Sequence, residues 1–428
     1  MSGRPARWRS IGLQFLLPAM CMPQPGWSQH DAGSVQPAEL VAIARIPGDQ
    51  FVPGPVSGQF IDPQAEPGLD KLLPFRLGQP LQGFSAVVKE GESTFLALAD
   101  NGYGARANSA DFVLTVYRIR PDFRTHSGGS GTIAVESAIR LRDPMKQAQF
   151  ERVADSEWYP PADAKVPVDP AIRRLELLTG ADFDPESLQR LRDGSFWIGD
   201  EFGPWLLHFD IVGRLLQAPA PLPGVSGPDN VLVPGEAHLA VRSGGFEGMA
   251  WDREQNLLYP MLEKPLEGGG ADLNIYVFDP QRGAFLDRPP LRYPLEQGAR
   301  AAGDIQSLGN GGFLVLERDG EQGDAARIKR VYRVQEGRVD ADGRLRKELV
   351  ADLLEIADPH GLAAGTPGSS EGRYRFSFET IESLVVLGKD RLGVVNDNNY
   401  PFGNGPGGAG DDLPEATVFI ILDVPALK

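Results

Sequence analysis

The sequence predicts an all-β fold: a β-propeller of five or six four-stranded blades, closed by an N-terminal strand and carrying loop insertions. Glycine (51) and proline (37) are abundant among the 428 residues and spread along the chain, which favours many short strands and turns over long helices. Short apolar runs recur in pairs around a turn, as in hairpins. These pairs repeat as whole units, and repetition of a four-stranded unit about an axis is how propellers are built.

The chain starts with Arg4, Arg7 and Arg9, then an apolar run from Ile11 to Met22, then Gly26-Trp27-Ser28 with small residues around a cleavage point. Twelve residues are too few to cross a bilayer, so residues 1–28 read as a cleaved signal peptide. Residues 29–428 then form a single exported domain, periplasmic or secreted. The one cysteine, Cys21, lies in the leader. Met20 before it is too large for a lipidation site, so a lipoprotein is the lesser alternative. Cleavage leaves no thiol for a disulfide, a zinc site or a nucleophile. No other apolar run is long enough to span a membrane.

Five units follow. Their first runs are marked by Ser85, Glu186, Glu247, Gln306 and Glu382, and their second runs end in Asp100, Asp200, Glu263, Glu317 and Asp397. The two columns are 15, 14, 16, 11 and 15 residues apart, the length of two strands and a tight connection. Third strands are expected at 113–117, 206–209, 274–278, 330–334 and 417–421. Fourth strands are expected at 132–135, 214–216, 291–293 and 349–353. The last unit lacks a fourth strand, which Val41–Arg45 supplies. A Pro-rich insertion at about 142–180 forms a loop with a short helix near 171–178, or else hides a sixth blade. Trp197, Trp205 and Trp251 read as packing residues.

In an antiparallel hairpin the start of the first strand lies beside the end of the second. Both columns therefore belong on one rim, and radial repetition brings the rims around one mouth. Crowded carboxylates there must hold protons or a cation. His126, His208, His238 and His360 never pair at metal-protease spacing. Oxygen donors alone favour a hard cation, Ca²⁺ first and Mg²⁺ or Mn²⁺ next. The expected metal ligands are Asp100, Asp200, Glu247, Glu263, Glu317, Glu382 and Asp397. Glu201 and Glu186, in one hairpin, are the candidates for activating water, and Arg106, Lys264 and Arg318 for gripping a phosphate. The net charge of -16 excludes nucleic acid as a partner, whose binding draws on cationic contacts. Gly403, Gly405 and Gly408 satisfy G-x-G-x-x-G, but no helix follows to receive a phosphate.

At these residues the chain resembles the phytase-like domain family, also described by its esterase-like activity, among exported bacterial proteins. The resemblance is carried by Leu98-Ala99-Asp100-Asn101-Gly102-Tyr103-Gly104 and by Phe196-Trp197-Ile198-Gly199-Asp200-Glu201-Phe202-Gly203-Pro204. Gly245-Phe246-Glu247-Gly248-Met249-Ala250, Ile381-Glu382-Ser383-Leu384 and Asn396-Asp397-Asn398-Asn399-Tyr400-Pro401 add to it. It implies a propeller and hydrolysis of a phosphate ester or ester with calcium held by acids. Two rivals use the same acids: a calcium-dependent lactonase or carboxylesterase, and a non-catalytic ligand-binding propeller.

Overall fold

In the computed structural model the described residues are 36–65, 68–232, 239–402, 405–406 and 415–427. The leader with Cys21, and also His238, Gly403 and Gly408, lie outside them. The described chain is all-β, and each unit places its first strand innermost. Unit one comprises Ala86–Lys89, Phe95–Leu98, Thr115–Asp122 and Thr132–Arg140. Unit two comprises Pro185–Arg190, Phe196–Asp200, Trp205–Phe209 and Ala220–Pro221. Unit three pairs Phe246–Asp252 with Leu257–Leu262, then splits into two outer layers, Asp272–Ile275 with Leu291–Pro294 and Phe278–Asp279 with Ala284–Phe285. Unit four is the most regular: Ala301–Gly309, Gly312–Arg318, Lys329–Val339 and Leu345–Asp352. Unit five has Ile381–Val386, Arg391–Asn396 and Thr417–Asp423, with Glu39–Ile46 antiparallel to the last (Ile43 opposite Ile420).

Side chains tie the inner strands of neighbouring units. Ser383 Oγ accepts the Val87 N–H (2.8 Å), Asp304 Oδ2 accepts that of Leu384 (2.8 Å), and Gln189 Nε2 donates to the Met249 carbonyl (2.7 Å). A cavity of about 330 Å³ at the far end is lined by one inner strand from every unit, through Val87, Gln189, Trp251, Gln306 and Val385. Apolar side chains on alternate strand positions fill the spaces between sheets, as in the cluster of Leu96, Leu98, Val116, Leu188, Ile198 and Trp205. Trp197 and Trp205 are fully buried.

Two expected elements differ. The fourth strand of unit two is Ala220–Pro221, and residues 214–216 instead make isolated bridges from Arg214 to Arg142 and from Leu215 to Phe209. Gly213 at φ 77 turns the chain too tightly there for a ladder. Between unit one and unit two the described residues hold no strand; the insertion carries 3-10 turns and a helix at Pro170–Leu175, N-capped by Asp169.

Candidate functional site

The site begins with a backbone irregularity. Where the first strands of units two, three and five meet their second strands, the register slips by one residue, so Glu186, Glu247 and Glu382 each sit in a β-bulge. An extra bulge residue leaves the ladder and re-aims its side chain. Unit four has the same slip at Gly303, so its structural counterpart to the glutamates is Gly303, not Gln306. A Cβ on Gly303 would lie 2.3 Å from the Ile381 carbonyl oxygen, so this seam has no room for a side chain.

The second column is set by alternation. Glu201 and Glu263 donate their N–H groups to the carbonyls of Asp184 and Gly245, two residues before each bulge. Asp397 does the same to Thr380. In unit four the last strand residue, Arg318, reaches this rim: its Nη2 lies 3.4, 3.2 and 3.3 Å from Glu247, Glu263 and Glu382. Asp200 and Glu317 stand one position earlier, and one step along a strand points a side chain to the opposite face. Asp200 accepts the N–H groups of Asp184 (2.8 Å) and Gly203 (2.7 Å). Glu317 takes the Tyr293 hydroxyl and Lys347, both at 2.5 Å. Asp200 and Glu317, both expected among the metal ligands, meet these donors and stand in neither group of three close carboxylates.

Two groups of three carboxylates have ligand atoms within 4.8 Å of one another: Asp184, Glu186 and Glu201, and Glu201, Glu247 and Glu263. Glu201 belongs to both. Asp184 was not singled out in the sequence; its signal is its place two residues before Glu186, where Gly245 precedes Glu247. Asp100 adds its charge from unit one, and Asp397 and Glu382 theirs from unit five. One oxygen of Asp100 is held by the Gly102 N–H (2.7 Å), and Asp397 Oδ1 by the N–H groups of Gly83 (3.1 Å) and Asn399 (3.0 Å).

Burial, then mutual repulsion, pushes the carboxyls of Asp100, Glu186, Glu201, Glu247 and Glu382 well above the ordinary range. Burial likewise raises Asp184 to about 7. Burial opposes the Arg318 charge, yet Glu382, Glu263 and Glu247 more than offset it and strengthen its hold on the proton. Lys264 lies 2.6 Å from Glu263 and also bonds the Ser243 carbonyl. Arg106 donates to the Asp229 carbonyl (2.9 Å) and lies over the Phe202 ring at 5.2 Å.

Whether a cation suits these acids is decided by their free oxygens. Glu201 Oε1 is buried and meets no donor among the described residues, and Asp184 Oδ1 makes no hydrogen bond of good geometry there, although Asn101 and Glu186 stand close enough to lower the Asp184 carboxyl against burial. A buried unpaired carboxylate oxygen is costly. These oxygens, in one three-carboxylate group, fit a hard divalent ion that takes only oxygen ligands.

Residues 79–400 match the phytase-like family, described by the esterase-like activity of phytase, and the chain belongs to that family. An uncharacterized secreted protein of Arthroderma benhamiae is 26% identical over 190 residues, 35% of this chain; the match spans 37% of that relative's length. Among solved structures, a PQQ-bound aldose sugar dehydrogenase of Streptomyces coelicolor aligns at 11% identity and TM-score 0.31, over 91% of this chain and 100% of its own. A glucose dehydrogenase of Thermus thermophilus aligns at 15% identity and TM-score 0.34, over 80% and 97%. No helix among the described residues is long and apolar enough to cross a membrane.

Proposed function

We propose that this chain is an exported, cation-dependent hydrolase of ester bonds, a five-bladed propeller whose acidic mouth takes a phosphate ester. The family supports the hydrolase class, and the cyclic contacts of the five inner strands support the blade count. The observation that carries the site is the unpartnered oxygen of Glu201, in one three-carboxylate group with Asp184. Asp184, Glu186 and Glu201 would hold the ion, calcium first and magnesium or manganese next.

A bound divalent ion there supplies positive charge for the substrate and lowers the pKa of water. The remaining work belongs to the chain. Glu201, shared by both carboxylate groups, would take a proton from water, with Glu186 beside it. Arg318 neutralises Glu247, Glu263 and Glu382 and keeps the ring from repelling an anionic substrate outright. Lys264 and Arg106 would contact the phosphate on this reading.

One observation favours a second reading. Arg318 is surrounded by three glutamates and Lys264 is paired with Glu263, so these bases are engaged within the ring, which suits a neutral ester or lactone. Turnover of 4-nitrophenyl phosphate, 4-nitrophenyl acetate and a lactone, with chelator and with calcium restored, separates the readings. Loss in chelator and recovery with calcium is expected, with Lys264→Ala slowing only the phosphate ester. Undiminished turnover in excess chelator would refute the cation dependence.

A further inference from the structure

The inner strands run from the acid ring to the opposite opening, where their far ends line the cavity of about 330 Å³. Glu247 and Arg253 mark the two ends in unit three; at about 3.3 Å per residue they stand roughly 20 Å apart. The volume falls within the range of about 300–1,000 Å³ usual for small-molecule sites. The wall is apolar through Val87, Val88, Leu308, Val385 and Val386, and through Trp251, which is 6% exposed. Gln189 and Gln306 add neutral polar groups, and Lys89, Arg253 and Glu254 bring charge. These three are exposed, and none makes an ion pair among the described residues. The Arg253 guanidinium lies over the Trp251 ring at 5.1 Å, and Arg192 Nη2 donates to the Arg253 carbonyl (2.6 Å), bringing a further positive charge to the edge.

Two cations against one carboxylate leave the wall an excess of one positive charge, in a chain whose net charge is -16. A cationic ligand would meet Lys89, Arg253 and Arg192 and be repelled, and the Trp251 face it would seek already carries Arg253. A compact inorganic anion would leave the valines and Leu308 without a partner, and a neutral hydrocarbon would leave the cations without one. We infer that this cavity binds a monocarboxylate with an apolar body, an alkyl or aryl acid. Its hydrocarbon lies against the valines and Leu308, and its carboxylate meets the planar Arg253 fork and the Lys89 ammonium at the opening. The acid ring repels the same ligand, so charge sorts the two openings. Neither a bound cation nor hydrolysis enters this assignment.

The test is calorimetric titration of the full chain with octanoate and 4-phenylbutyrate, with octanol, octylammonium and acetate as controls. Both acids should bind saturably, one per chain, while the three controls bind far more weakly. Lys89→Gln with Arg253→Gln, two exposed changes that leave the packing intact, should weaken octanoate about tenfold. Affinity should be the same in chelator, in calcium and in Glu201→Gln, because the acid ring takes no part. Absence of saturable octanoate binding would overturn the inference, and octanol or octylammonium binding as tightly as octanoate would do the same. So would an affinity unmoved by the double substitution, or one that follows calcium, since either places the ligand elsewhere. Loss of the hydrolase reading through undiminished turnover in chelator would leave this assignment untouched.

Discussion

Replacing Arg318 with methionine removes a guanidinium that is 7% exposed and touches three buried glutamates. At about 3.3 Å and an effective dielectric near 20, each contact is worth about 5 kcal/mol of gross attraction. Desolvation offsets most of it, and breaking a buried ion pair from one side costs about 3–5 kcal/mol net. At about 2.1 cal/mol/K per residue, a domain of this length unfolds with an entropy near 0.8 kcal/mol/K, so Tm should fall by about 4–6 °C. The deficit should depend on pH with a definite sign. Glu247 and Glu382 already hold protons above their ordinary range in the folded state, and losing the guanidinium raises them further. Below the unfolded carboxylate range both states are protonated and the variant differs little; as pH climbs through the raised folded values the gap widens. Excess calcium should narrow it by supplying a replacement charge. Thermal melts at pH 5 and pH 8, in chelator and in calcium, read all of this. An Arg318→Met protein melting within about 1 °C of wild type at pH 8 in chelator would refute the neutralising role.

Glu201→Gln keeps the shape of a residue common to both carboxylate groups and should cut turnover by about 10²–10⁴. Calorimetry should show weaker calcium binding, with the Tm in chelator near that of wild type. Gly245→Ala would place a Cβ 2.4 Å from the Glu201 Cα; overpacking this seam should cost about 1–3 kcal/mol, read by urea unfolding, and weaken calcium binding as well. Arg152 and Lys146 overcome burial to lower Asp155 to about 2. Its stabilisation is therefore present above about pH 4 and lost as pH falls towards 2. Asp155→Asn should cost about 1–2 kcal/mol at pH 7, after allowance for solvent screening, and only a few tenths of that at pH 2, where about half the carboxyls remain ionised.

The hairpins were legible because apolar runs and turn residues are local signals. The rim was legible in outline, since Glu186, Glu247, Glu382, Asp100, Glu263 and Asp397 all reach it. What failed was register. In unit four the separation of 11 residues between Gln306 and Glu317 departed from the other spacings, and the bulge at Gly303 explains why: the true interval runs from Gly303 to Arg318 and matches the rest. A bulge adds one residue without altering composition, so periodicity cannot display it. Asp200 and Glu317 stood out as acids closing apolar runs, yet a slip of one residue turns each away from the mouth. Asp184 escaped notice because it lies ahead of its strand, in the loop where no alternation applies.

The pairing of Glu39–Ile46 with Thr417–Asp423 joins the earliest described strand to the latest. Neither can find its mate until everything between them is laid down, so this contact forms late and assembly is slow. Once made, it acts as a clasp: separating the two ends of the chain must first unzip a pair of long edges, and a substitution within it should hasten unfolding more than it hinders refolding.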